Sequence, residues 1–302
     1  MNELEVELNC FQRVREYTDI EPEEHLQAKS SVVPASWPSS GRVEFHNVTA
    51  RYQADGPDVL HNVSFVANAG ERIGLVGRTG SGKSTLGLSL LRFVNLASGQ
   101  ITIDGVDIAT ILLNRLRTSV TLIPQEPVLF SGDVHSNLDP FGAPAKPSSP
   151  PPWPPAPPST FRTMPIPPNP PAPLTLNTPV AANGENFSQG QRQVLSLARA
   201  MCRRSKVVLL DEATASVDHE TDMHMQRVLR EMFPDCTIIA IAHRLRTIMD
   251  YDRVLVMADG EIVENDTPAN LVKKEGVFWD MLRNTGEYDE LVQMIETKPS
   301  AS

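Results

Sequence analysis

The sequence predicts an α/β fold built on a mainly parallel sheet, with a small antiparallel β part in front of it. Three observations carry this expectation. Val207–Leu210 and Thr237–Ala242 are uninterrupted apolar runs of strand length, the pattern of parallel strands covered on both faces. These runs alternate with helical patterns, such as Phe187–Arg204 with Val194, Leu195, Leu197, Ala198 and Met201 on its inward side. Ahead of them, Val43, Phe45, Val48 and Tyr52, and then Val59–Val66 ending at Asn68-Ala-Gly, mark two strand regions, the expected small antiparallel part.

Taken in order, the chain opens with Leu4, Leu8, Phe11, Val14 and Tyr17 at helical spacing, which predicts an amphipathic helix over residues 1–20. A loose acidic, Pro/Ser-rich linker follows to about Pro38. Leu75 and Val76 close a short apolar strand, and Leu86, Leu88, Leu90 and Leu91 lie on the helix after it. Gly99-Gln-Ile-Thr-Ile-Asp-Gly reads as a strand with a tight turn, and Ser119–Ile123 as a β-branched strand running into Pro124-Gln125. Arg253–Met257 and Glu261–Glu264 flank Asp259-Gly260, a hairpin signal. Between Ala143 and Asn177 stand 15 prolines in 35 residues and no Asp or Glu. Each proline removes an amide donor, so this stretch cannot be helical and is expected as an exposed loop of polyproline character. It reads either as a docking site for aromatic-lined proline-binding domains or, as the preferred reading, as an insertion without recognition.

Composition narrows the function. The 302 residues supply one large or two small domains, with 40% hydrophobic and 21% charged residues, ordinary values for a globular protein. A net charge of −10 with scattered lysines and arginines argues against nucleic acid as a main partner. Cys10, Cys202 and Cys236 lie far apart, which predicts reduced thiols and neither a disulfide framework nor a zinc site. No stretch reaches the length needed to span a bilayer and the acidic N-terminus has no apolar signal core, so any action at a membrane is expected to go through a partner.

Chemistry concentrates at Gly77-Arg-Thr-Gly-Ser-Gly-Lys-Ser84, set between an apolar strand and a helix. Gly77, Gly80 and Gly82 let the backbone fold around an anion, so that consecutive amides and the positive end of the helix face phosphate oxygens. Lys83 bridges the outer phosphates in such a loop and the Ser84 hydroxyl joins a magnesium shell. The chain is therefore expected to bind a nucleoside triphosphate. Downstream, Val207-Val-Leu-Leu-Asp-Glu212 is an apolar strand ending in two carboxylates, with Asp211 suited to the magnesium shell and Glu212 to a general base facing water. Asn186-Phe-Ser-Gln-Gly-Gln191 opens a helix. Alone it reads as a helix cap with a glycine, although its amides and the Ser188 hydroxyl also suit a phosphate. Gln125 and His243, each after a strand, alone read as polar loop residues.

The succession of phosphate loop, Gln125, Ser188-Gln-Gly-Gln191, Asp211-Glu212, Ser216-Val-Asp218 and His243 resembles the nucleotide-binding domain of the ATP-binding-cassette family. The finer resemblance is to the second cassette of subfamily C, the multidrug-resistance-associated exporters. Ser36–Phe45, Val76–Ser84, Asn137–Gly142 and Glu185–Arg192 carry it, over about residues 1–142 and 178–290. The resemblance implies a P-loop NTPase that hydrolyses ATP with Mg²⁺ in an exporter. In it Tyr52 stacks on adenine, and Gly77, Arg78, Thr79, Gly80, Ser81, Gly82, Lys83, Ser84 and Thr85 hold the phosphates. Gln125 touches magnesium and water, Glu212 is the base, and His243 bonds the γ-phosphate. Ser188, Gly190 and Gln191 form the signature that faces the opposing site, and Asp218 couples the two sites. Ser84, Gln125 and Asp211 are the implied metal residues.

The implied partners are a second nucleotide-binding domain and the transmembrane domains of an exporter, with this chain at the cytoplasmic face of a membrane through them. A non-hydrolysing nucleotide-binding or regulatory fragment is the alternative. A soluble cassette acting on ribosomes or DNA is disfavoured by charge. Expected boundaries are a helix and linker over 1–38, a first cassette part over 39–142, the Pro-rich insertion over 143–177, a second cassette part over 178–290 and a tail over 291–302. The signature departs from the general Leu-Ser-Gly-Gly-Gln pattern, which implies a less competent Ser188 half-site. Where the family carries acidic docking helices this chain has Ala143–Asn177, whose composition a shifted frame or a retained intron explains, and the Ser188 loop beside it is expected to be poorly anchored. Met1 stands about where the family's last membrane helix enters the cytosol, so the chain reads as a fragment or separate half of an exporter.

Overall fold

Strand pairing divides the protein into an antiparallel sheet and a parallel one with a helix between them. The computed structural model describes residues 3–19, 23, 33–53, 55–140, 175–203, 205–211, 219–242 and 244–296. In chain order the strands are β1 (Val43–Arg51), β2 (Leu60–Ala67), β3 (Arg72–Gly77), β4 (Asn95–Ile103), β5 (Val106–Asp107) and β6 (Val120–Ile123). They continue as β7 (Gly132–Asp133), β8 (Pro179–Val180), β9 (Val207–Asp211), β10 (Thr237–Ile241), β11 (Arg253–Ala258) and β12 (Glu261–Asp266). The helices are α1 (Glu3–Thr18), α2 (Lys83–Leu90), α3 (Leu113–Ser119), α4 (Val134–Leu138), α5 (Gln189–Arg203), α6 (His219–Met232), α7 (Pro268–Lys274), α8 (Val277–Arg283) and α9 (Tyr288–Glu296).

The antiparallel sheet has the order β2-β1-β4-β5 and the core sheet β12-β11-β3-β10-β9-β6, parallel except where β12 returns beside β11. Side-chain alternation explains why its strands read as unbroken apolar runs. Ile73 and Leu75 of β3 and Ile239 and Ile241 of β10 join one cluster with Leu86 and Leu90 of α2 and with Val43, Phe45 and Ile101 of the antiparallel sheet. Val76, Ile238 and Ala240 face the other way, onto Leu197 and Ala200 of α5, Met225, Val228 and Leu229 of α6, and Leu271, Phe278 and Leu282 of α7 and α8. Both faces of the parallel sheet are thereby buried.

A third cluster of Leu129, Val134, Leu138, Val180, Phe187, Leu195 and Ala198 supports α4 and the start of α5. Here the ends of the Pro-rich segment meet: β7 pairs with β8, the amide of His135 donates to the carbonyl of Leu176 (2.9 Å) and that of Val134 to Thr178 (3.1 Å). Thr175–Thr178 is thus a hydrogen-bonded turn at the edge of the folded part, while residues 141–174 lie outside the described residues. The first helix forms as predicted, yet Phe11, Val14 and Tyr17 are 63–71% exposed, so the described residues of the apolar side of α1 face solvent. Among the described residues no helix is long and apolar enough to cross a membrane, and all three cysteines are free.

Candidate functional site

Register fixes where the predicted residues converge. Leu75 of β3 pairs with Ile241 of β10, and Ile241 with Asp211 of β9, so the three lie in one row across the sheet. Ile123 of β6 pairs with Leu210, which sets Pro124 beside that row and Gln125 one residue beyond it. The phosphate loop leaves β3 two residues above Leu75. All of these positions stand at the carboxyl edge of parallel strands, where an open α/β sheet offers its crevice.

The loop itself is shaped by what surrounds it. Gly77 has φ +154° and a Cβ there would lie 2.3 Å from the Met257 carbonyl oxygen. Gly82, at φ +99°, is the residue before α2, and a Cβ there would come within 2.9 Å of Leu60. Only glycine fits these two backbone conformations and gaps. Lys83, 7% exposed, turns its Nζ into the loop and donates to the carbonyls of Gly77 and Arg78, 2.9 Å each. Ser81 is buried and its Oγ has no hydrogen-bond partner. A buried hydroxyl left unsatisfied costs about 1–3 kcal/mol, and here it sits within a glycine cradle at a helix N-terminus, a setting that fits an anion. Arg78, Thr79, Gly80 and Ser84 are exposed, while Thr85 is buried.

Tyr52 stands beside this loop. Its ring is 56% exposed and its hydroxyl pairs with Thr85 Oγ1 at 3.0 Å, so the first turn of α2 holds an aromatic face open to solvent.

The signature segment is firmly built, a correction to the poorly anchored loop expected from sequence. Phe187 is 7% exposed and packs in the cluster with Leu129, Leu138 and Leu195. Asn186 Nδ2 donates to Pro179 O (2.8 Å) and its Oδ1 accepts from the Ala181 amide (2.9 Å). Ser188 and Gln191 form a reciprocal cap: the Gln191 amide donates to Ser188 Oγ (3.2 Å) and the Ser188 amide to Gln191 Oε1 (2.9 Å). Ser188 is exposed, and Gly190 is half-buried between the capping partners. The short strand pair at either side of the Pro-rich segment supplies the anchoring that its sequence could not.

Two residues that sequence reading passes over tie this part together. Gln193 of α5 is wholly buried and its Nε2 donates to the Gln125 carbonyl at 2.5 Å, joining the signature helix to the chain after β6. Arg199, one helical face further on, donates to the carbonyls of Asn137 (2.8 Å) and Val128 (3.1 Å) and lies over the Phe130 ring. Burial pushes its guanidinium pKa down, with Arg203 adding to the shift. Neither has a local signal beyond lying on a helix, because each partner is more than 60 residues away. Glu212, Ser216, Asp218 and His243 fall outside the described residues.

A glycine-cradled helix N-terminus, a row of strand ends carrying Asp211 and Gln125, and a capped serine on a second helix define a P-loop nucleotide-binding cassette. Comparison with known proteins agrees. The family model described as ABC transporter matches residues 60–215, a little over half of the chain. The chain is 46% identical over 285 residues to the ATP-binding cassette transporter abc4 of Schizosaccharomyces pombe, covering 94% of this chain and 19% of that protein. It is 43% identical over 286 residues to human ATP-binding cassette sub-family C member 3, covering 95% and 18%. Among solved structures, a bacterial Atm1-family ABC exporter with ATP bound matches with a TM-score of 0.74 and 27% identity, over 98% of this chain and 48% of that one. The protein belongs to the ABC transporter family, as a nucleotide-binding domain akin to those of subfamily C. It spans less than a fifth of the length of these full-length relatives.

Proposed function

We propose that this chain is the ATP-hydrolysing motor domain of an exporter, active when a second cassette completes its site. Tyr52 stacks on the adenine, offering a π-face rather than a hydrogen-bonding edge. The amides of Gly77–Thr85 and the Lys83 ammonium hold the triphosphate, and Ser84, Gln125 and Asp211 would hold Mg²⁺, which supplies charge neutralisation at the β- and γ-oxygens. Glu212 takes the proton of the attacking water, and His243 bonds the γ-phosphate. Ser188, Gly190 and Gln191 face the nucleotide of the opposing cassette, and Asp218 couples the two sites. Transmembrane domains are the further partners, with the chain at the cytoplasmic face of the membrane through them.

The observation that carries this reading is the joint placement of the phosphate loop, Asp211 and Gln125 at one sheet edge, with Gln193 binding the signature helix to Gln125. Glu212→Gln tests it. With a competent first cassette present, this variant keeps nucleotide binding and loses turnover by about 10²–10⁴-fold, the usual worth of a positioned general base. Retained turnover overturns the assignment of Glu212. An unaltered chain that binds ATP and stays inactive with its partner cassette is instead a non-hydrolysing module.

A further inference from the structure

The turn between β11 and β12 lies some 180 residues beyond the phosphate loop in sequence and touches it in space. Gly260 is the contact. Its amide donates to the carbonyl of Ser81 (3.2 Å) and its carbonyl accepts from the amide of His61 (2.9 Å), so one residue joins the phosphate loop to β2. The junction is tight. Gly260 has φ +80°, and a Cβ there would lie 2.3 Å from the Val59 carbonyl oxygen and 2.7 Å from His61 Cδ2. The Cβ positions at Gly77 and Gly82 are blocked from the same side, by the Met257 carbonyl and by Leu60.

The strand on the other side of this junction leads directly to Tyr52. The Val59 amide donates to Ala50 O (2.8 Å) and Arg51 pairs with Asp58 (2.9 Å), which pins the chain on both sides of the exposed Tyr52 ring. Tyr52 and the phosphate loop are therefore connected twice, by the Tyr52–Thr85 hydroxyl pair and along the chain from Tyr52 to His61, whose amide bonds Gly260, which in turn bonds Ser81. We infer that Gly260 is a positioning residue that sets the separation between the aromatic platform for the base and the cradle for the phosphates. The inference rests on the reading of Gly77–Thr85 as the phosphate site and Tyr52 as the base platform. Gly260 lies outside both of those sites.

The protein supplies its own control. Asp104-Gly105, between β4 and β5, is a turn of the same geometry, with φ +50° and +75° against +47° and +80° for Asp259-Gly260. Around a Cβ at Gly105 there is nothing within 4 Å. Gly105→Ala thus carries the strain of a positive φ alone, and Gly260→Ala carries that strain plus the displacement of β2 from the loop.

The test measures the affinity of the 302-residue chain and of both variants for ATP and for inorganic tripolyphosphate, below their unfolding temperatures. Gly105→Ala binds ATP within about twofold of the unaltered chain, whereas Gly260→Ala loses about tenfold or more, since displacements near an ångström cost that much at a preorganised site. Tripolyphosphate, which spans only the cradle, loses less than ATP. Equal ATP affinities in the two variants overturn the inference, and so does an equal loss for ATP and tripolyphosphate, which marks damage to the loop alone. Should Gly260→Ala fail to fold, amide exchange in the unaltered chain decides: ATP slows exchange at Gly260 and His61 together with the loop, and unchanged rates there refute the coupling. An unaltered chain that binds neither ligand refutes the phosphate-site reading itself, a result distinguishable from all of these.

Discussion

Lys83 is a nearly buried cation that donates to neutral carbonyls of its own loop, an arrangement that keeps the ammonium where anionic oxygens would arrive. Removing a charge-assisted bond of this kind costs about 1.5–3 kcal/mol, so Lys83→Ala is expected to weaken ATP by about 10- to 100-fold while leaving the melting temperature close to its original value. Gln193 has a different consequence. Its side chain is buried and its Oε1 has no hydrogen-bond partner, so Gln193→Leu removes an unsatisfied acceptor as well as the bond to Gln125. Stability is then expected to change by no more than about 1 kcal/mol, since the two terms oppose each other. Turnover in an assembled site falls while ATP affinity holds, a split that steady-state kinetics beside a binding titration resolves. The phosphate loop and the two-carboxylate strand end are legible in sequence because their spacing is local, and Gln125 only through its place in the family's order of motifs. Gln193, Arg199 and the contact of Gly260 with the phosphate loop are not, because each acts through a bond to a residue that only the fold brings near, although Asp259-Gly260 itself reads as a hairpin turn.

Among the elements, the linker before β1 is held by the β4–β5 turn. Asp104 accepts from the amides of Ser39 (2.7 Å), Ser40 (2.9 Å) and Arg42 (2.8 Å) and from the Ser40 hydroxyl. Burial opposes its charge, yet the Ser40 hydroxyl and these amides outweigh it and hold the carboxyl down to about 2, from an ordinary 3.8. A folded pKa below the unfolded one contributes stability that is complete above the unfolded value and vanishes as pH falls through the folded one. Asp104→Asn is therefore less stable than the unaltered chain at pH 7. The difference shrinks between about pH 4 and pH 2, and chemical denaturation across that range checks it. A constant difference over the whole range contradicts the assignment.

Elements with strong local periods are readable from sequence, as β9, β10 and α5 show. The helices α7, α8 and α9 are not, being only seven to nine residues long, and α8 is also capped from afar: Glu264 on β12 accepts from the amides of Val277 and Phe278 at its start. Helix α6 is legible after the fact from Met225, Val228, Leu229 and Met232 at helical spacing.

For the whole molecule, the Pro-rich stretch leaves and re-enters at one place, between β7–α4 and Thr175–Val180, which are hydrogen-bonded to each other. Limited proteolysis is expected to cut within residues 143–174 and leave both flanking parts associated, because β6, β9 and the Gln193–Gln125 bond hold them together. Separation of the fragments under native conditions contradicts this. The antiparallel and parallel sheets, the phosphate loop and Tyr52 meet at one junction, so the proposed base and phosphate sites share one frame.

The most direct test of this account is an equilibrium titration of the chain with ATP and Mg²⁺, run beside Lys83→Ala and Tyr52→Ala. Saturable binding of one nucleotide per chain is expected, weakened by about tenfold or more in Lys83→Ala. Tyr52→Ala weakens ATP and GTP alike, because a ring face does not distinguish their edges. Affinity unchanged by loss of Lys83, or a Tyr52→Ala chain that loses ATP and keeps GTP, contradicts the assignment of the nucleotide to this loop and this ring.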